Sequence, residues 1–158
     1  MPSPEILRLY VSTGHAYFGR HGLGAADYSI EEREEIRCVA GRGIEGDRFF
    51  DYKPDYKGQI TFFAEEVYLK LSEELGVDGV PPSVFRRNVI TRDLDLNSLV
   101  GEEFELQGVR FLGAAECKPC YWMNSAFHSD AEARLQGRGG LRAKILTTGS
   151  LRRTTAGF

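Results

Sequence analysis

Glycine and other turn residues cut the apolar content of this chain into runs too short for long helices. The runs at 6–11, 59–63, 88–91, 103–106, 109–112 and 141–146 hold four to six residues each. Several alternate as strands do. In the first, Arg8 and Tyr10 take one face and Leu7, Leu9 and Val11 the other. Ile36, Cys38 and Ala40 also share a face, which favours a strand there over the helix start suggested by Ser29 to Glu32. The chain's 18 glycines fit tight turns, or places where backbone must approach a ligand.

Helical signals are few. Val67, Leu71 and Leu75 form a stripe behind Glu65 and Glu66, and Gly76 follows, so a helix is expected over 65–75. Ser129 to Glu132 reads as a capping box opening a short helix that stops at Gly137. Gln107 and Gly108 form a hairpin turn between two short strands. Many short strands with few helices imply a mainly β, α+β fold, as a closed barrel or a sandwich. Strands do not alternate regularly with helices, so parallel βαβ units are not expected. No linker or repeat divides residues 1–158, which read as one domain.

Charge and targeting signals narrow the function. Net charge is −3, against the basic surplus of a general nucleic-acid binder. No apolar stretch approaches a membrane span and the amino terminus lacks a leader pattern, so no membrane partner is expected and cytoplasm is the default location. The three cysteines, Cys38, Cys117 and Cys120, are an odd number and argue against a disulfide framework.

Cys117-Lys118-Pro119-Cys120 is the sharpest local feature. Such a pair can be a metal-ligand or sulfur-carrying thiol, a redox pair, half of a zinc site, or two packed cysteines. Lys118 would favour a thiolate, the form that binds soft metals and carries sulfur. His15, His21 and His128 are too scattered to complete an obvious zinc site. No clear helix start follows at 121–124, which weakens a thioredoxin-like reading. Arginines recur beside glycine or in pairs: Arg42 and Arg48, Arg86 and Arg87 before Asn88, and Arg138 and Arg142. Guanidinium groups and exposed backbone N–H groups grip phosphate or carboxylate, so these stretches could assemble one electropositive pocket. Asp47 either orients Arg48 or makes an Asx-turn, and the turn is the simpler reading.

Six ordered motifs resemble the MOSC family, named for the C-terminal domain of molybdenum cofactor sulfurase. They are GIEGDR at 43–48, KGQITFF at 57–63, FRRNVIT at 85–91, the stretch at 95–113, CKPC at 117–120 and GRGGLRAKILTTG at 137–149. The likeness covers residues 36–149, and the YVSTGHAYFG start resembles the small stand-alone bacterial branch. It implies a MOSC-type closed or partly closed β-barrel and binding of the molybdenum cofactor, a phosphorylated pterin dithiolene, independently of pyridoxal phosphate.

In related amidoxime-reducing proteins the second cysteine of such a pair holds molybdenum. The resemblance therefore makes Cys120 the metal ligand and catalytic residue, with Cys117 secondary. Arg48, Arg86, Arg87, Asn88, Arg138 and Arg142 become cofactor contacts. The implied activity is reduction of N-hydroxylated compounds, or carriage and delivery of sulfurated cofactor. A small-molecule substrate and an electron-donor or cysteine desulfurase protein are the implied partners. The alternative is a cofactor-free persulfide carrier or thiol redox protein using the same cysteines. Members commonly end with a further strand after a Gly-Asp pair. That pair is missing after residue 148, so a different closure, or a homodimer covering the edge, is expected.

Overall fold

The computed structural model describes residues 4–12, 30–119 and 122–154. Among these residues ten strands form two sheets. The chain runs β1 (Glu5–Ser12), β2 (Ile30–Arg33), β3 (Glu35–Val39), β4 (Gly43–Ile44) and β5 (Ile60–Ala64). It continues through α1 (Glu65–Leu75), a 3-10 turn at Pro82–Phe85, β6 (Val89–Arg92) and a second such turn at Leu96–Leu99. Then come β7 (Glu103–Leu106), β8 (Val109–Glu116), α2 (Trp122–Ala126), α3 (Ala131–Arg134), β9 (Leu141–Ile145) and β10 (Gly149–Arg152).

The larger sheet has the order β2-β1-β6-β5-β9-β8-β7, and the smaller one β10-β3-β4. Among the described residues neither sheet closes on itself, so the strands form two open sheets and the closed or partly closed barrel implied by the motifs is not shown. The mainly β character with a few short helices is as expected.

The large sheet buries both faces. Strand alternation sends Phe62 and Val89 into one core with Ile36, Cys38 and Leu151 of the small sheet. It sends their neighbours Phe63 and Ile90 into a second core with Leu71 of α1, Met123 of α2 and Ala131 of α3. Phe62 and Phe63 are 0% and 1% exposed, each worth roughly 1.5–3 kcal/mol of burial. The helices thus cover one face and the small sheet the other.

Four expectations change. Strand β1 carries a bulge between Ile6 and Arg8. Ile6, Leu9 and Val11 therefore share the first core, and Tyr10 enters the second instead of lying on a polar face. One βαβ unit does exist: β5 and β6 are adjacent and parallel, with Phe62 beside Val89 and α1 between them in the chain. The α1 stripe seals that crossover, with Leu71 buried and Val67 and Leu75 packed around it. A short helix, α2, begins at Trp122 where no start signal was legible. Its Asn124 accepts the Glu132 N–H at 2.9 Å and so braces α3.

The fourth change is at the end. The absent Gly-Asp pair does not remove the final strand, because β10 pairs antiparallel with β3, Leu151 opposite Ile36. Gln107, in the loop joining β7 and β8, holds that strand. Its Oε1 accepts the Arg152 N–H at 2.7 Å and its Nε2 donates to the Arg152 carbonyl at 2.8 Å.

Gly140 has φ +111°, and a Cβ there would overlap the Phe62 carbonyl oxygen. Gly137, with φ +82°, has open space around it. Gly140→Ala should therefore cost about 3 kcal/mol or more, and Gly137→Ala only about 1–2 kcal/mol. Urea unfolding of the two variants measures the difference.

Candidate functional site

Strand β1 ends at Ser12, and three groups hold it there. Its N–H donates to Asp47 Oδ1 at 3.0 Å, its carbonyl accepts the Arg48 N–H at 2.7 Å, and its hydroxyl accepts Arg86 Nη2 at 3.2 Å. Asp47 Oδ2 also accepts the Phe49 N–H at 3.2 Å, which is the Asx-turn geometry. Asn88 closes the arrangement from behind. Its Oδ1 accepts from the Thr61 N–H at 3.0 Å, and its Nδ2 donates to the Tyr10 carbonyl at 3.1 Å and to Asp47 Oδ1 at 3.3 Å.

This scaffold aims arginines at one pocket of about 410 Å³. Arg48 follows the Asx-turn and its guanidinium lies 4.8 Å from the Phe49 ring centre. Arg86 takes a left-handed conformation, φ 60°, at the end of the 3-10 turn, so that Arg86 and Arg87 both reach the pocket. Arg87 is held by two carbonyls: Nε donates to Gly139 at 3.1 Å and Nη1 to Phe85 at 3.0 Å. Its Nη2 is buried without a hydrogen-bond partner among the described residues. Arg142 comes from β9, opposite Thr61, and stands over Tyr56 with 5.4 Å to the ring centre.

Glu116 at the end of β8, and Cys117 and Lys118 just after it, add to the rim. Cys117 is 5% exposed, and its N–H donates to the Gly140 carbonyl at 2.8 Å. A Cβ on Gly139 would overlap the Cys117 carbonyl, so the two segments touch through their backbones. Among the described residues the lining carries five cations, Arg48, Arg86, Arg87, Lys118 and Arg142, against one carboxylate, Glu116. In an acidic chain this is a local reversal of sign, suited to a polyanion.

The expected site residues divide into four groups. Arg48, Arg86, Arg87, Arg142 and Cys117 line the pocket together. Asn88 does not line it; it is 8% exposed and supports the wall from behind. Arg138 lies elsewhere: Nη2 pairs with Glu74 of α1 at 2.7 Å and Nε with the Arg134 carbonyl at 2.8 Å. Arg42 pairs with Asp51 outside the pocket. Cys120, His15 and His21 lie outside the described residues. His128 Nδ1 accepts the Asp130 N–H at 3.0 Å.

Among the described residues no three His, Cys, Asp or Glu side chains cluster as a metal site, and no helix is long and apolar enough to cross a membrane. The sequence reading passed over Ser12, Phe49, Tyr56, Gly58 and Thr61. Tyr56, Gly58 and Thr61 sit in or beside the KGQITFF motif, the signal that could have marked them.

A mainly β domain with an arginine-lined pocket beside a cysteine segment is the class defined by this fold and site. The chain belongs to the MOSC domain family, whose model matches residues 45–155. The YuaD protein from Bacillus subtilis is similar in structure, with a TM-score of 0.72 at 17% identity, over 96% of this chain and 92% of that one. YiiM from Escherichia coli superposes with 0.66 at 19% identity, over 96% of this chain and 66% of that one. YiiM from Geobacillus stearothermophilus gives 0.67 at 14%, over 95% and 71%. At these identities the likeness is one of fold. No curated protein matches the chain in sequence.

Cys38 is a contrasting thiol. It is buried in the first core, and desolvation pushes its pKa up to about 12. Burial, then the nearby Glu32 charge, likewise raises Tyr10 to about 12. Both groups ionise earlier in the unfolded chain, so the folded state binds more protons above about pH 9. Their contribution is therefore complete below that pH and is lost as pH rises toward 12. Denaturation between about pH 8 and about pH 11 should show falling stability, with a shallower fall in Cys38→Val.

Proposed function

We propose that this chain binds a phosphorylated pterin molybdenum cofactor, with Cys120 as the thiolate ligand to the metal. The observation that carries this reading is the convergence of Arg48, Arg86, Arg87 and Arg142, from separate chain segments, on one pocket edged by Cys117 and Lys118. The orphaned Arg87 Nη2 fits the same group. A buried guanidinium nitrogen without an acceptor is costly, and a phosphate oxygen would satisfy it. The Arg142 guanidinium beside the Tyr56 ring, fitted over Gly58, suits a flat anionic ligand.

In this role Arg87 and Arg142 hold the anionic end, while Arg48 and Arg86 set the field in the wall. Cys120, three residues past the buried Cys117, supplies the sulfur ligand, and Lys118 favours its thiolate form. When bound, the group supplies a metal centre able to exchange oxygen with an N-hydroxylated substrate, or a sulfurated metal for delivery. A partner protein provides the electrons or the sulfur. A barrel-like closure of the two sheets around the pocket is part of the same proposal. A cofactor-free persulfide carrier would use the cysteines alone and leave this cation excess without a purpose.

Protein purified from a cofactor-producing host should carry molybdenum and pterin near one per chain, measured by elemental analysis and pterin fluorescence. Cys120→Ala should lose the metal. Arg87→Ala should lower pterin retention roughly tenfold or more, the worth of about 1.5–3 kcal/mol for a charged hydrogen bond. Wild-type protein carrying neither, yet forming a sulfur adduct on Cys120 with a cysteine desulfurase, would establish the carrier instead.

A further inference from the structure

Beside the arginine pocket lies a second hollow, of about 540 Å³, lined by Lys53, Pro54, Asp55, Tyr56, Lys57 and Arg142. Tyr56 and Arg142 belong to both, so together they form a shared wall. The wall is built closely. Arg142 stands 5.4 Å from the Tyr56 ring centre, and Lys53 Nζ stands 5.4 Å from the same ring. Tyr56 is itself packed on Phe49 and Tyr52, with ring centres 5.3 and 4.8 Å away.

Gly58 makes this contact feasible. A Cβ there would lie 3.2 Å from Arg142 Nε and 3.2 Å from the Tyr56 ring edge. No unusual backbone angle calls for glycine at this position. The missing side chain leaves the space in which the guanidinium lies beside the ring.

The charge in the second hollow is also one-sided. Among the described residues its only carboxylate, Asp55, is taken by Lys144 at 2.6 Å. Lys53, Lys57 and Arg142 have no carboxylate within salt-bridge distance among the described residues. Three cations and one aromatic wall, around a space in the usual range for small ligands, define an anion site with an apolar side.

We propose that this hollow is a second anion subsite, taking a small organic ligand that carries a carboxylate, sulfonate or phosphate. Its anion is held by Lys53, Lys57 and Arg142, and its organic part rests against Tyr56. That this ligand is the substrate entering beside the cofactor rests on the proposed function; the anion subsite itself does not. Arg142 then serves two anions, so occupancy of one hollow reports on the other.

The test is a titration of the isotope-labelled chain with inorganic pyrophosphate at low salt, followed by backbone amide shifts. Two binding events are expected, one moving residues 53–57 and one moving residues 86–88. Lys53→Ala combined with Lys57→Ala should weaken the first at least tenfold and leave the second. Arg87→Ala should do the reverse. Arg142→Ala should weaken both, and Gly58→Val should mimic it in wild type but add nothing in the Arg142→Ala background.

A single event abolished by Arg87→Ala and untouched by the lysine changes would overturn the subsite. So would equal losses from every variant, which would mark a diffuse field. A chain that shows both events but retains no molybdenum or pterin would keep the subsite and defeat the cofactor reading.

Discussion

A carboxylate only 7% exposed needs donors for its lone pairs, and Asp47 finds them in three places. The N–H of Ser12, the N–H of Phe49 and the amide of Asn88 converge on it from β1, the following turn and the start of β6. This one group fixes where the first strand ends, how Arg48 leaves its turn, and how Asn88 stands below Arg86 and Arg87. The pocket's cations are consequently set by a buried hydrogen-bond network. Such networks order their neighbours well when every member is satisfied.

Local pattern was legible where one principle acted alone. Helix α1 spans the residues its stripe and flanking glycine indicated, and β7 and β8 meet around Gln107 and Gly108 as read. Pattern misled where tertiary context intervened. The bulge after Ile6 shifts the alternation of β1, so Tyr10 becomes a core residue. The parallel pairing of β5 with β6 depends on α1 packing over the sheet, a contact no short window contains. β10 was overlooked because its pairing partner, β3, lies far away in sequence.

The site follows the same division. Arginine beside glycine or in pairs was visible as residue type, but convergence is a property of the fold. Of the three stretches, the turn at Arg48, the pair Arg86–Arg87 and the strand position Arg142 meet, while Arg138 turns away to Glu74. Asn88 was legible as a polar residue of consequence, and its side chain bonds Thr61, Tyr10 and Asp47 behind the pocket wall. Gly58 was quoted only as part of a motif, and Tyr56 stood just outside it. Their importance is spatial: a ring, a guanidinium and an absent side chain occupy one small volume.

The clasp between Gln107 and β10 has a further consequence for biogenesis. The Ala40 N–H reaches the Thr148 hydroxyl across 108 residues of chain, and the strand that follows must then lie down on β3. During translation, β3 therefore waits without its neighbour while the intervening strands and helices emerge. Closing so large a loop is slow, because chain entropy opposes it until the last contacts form. The nascent chain consequently carries one edge of β3 unpaired until residues 149–152 leave the ribosome, and Leu151 joins the first core only then.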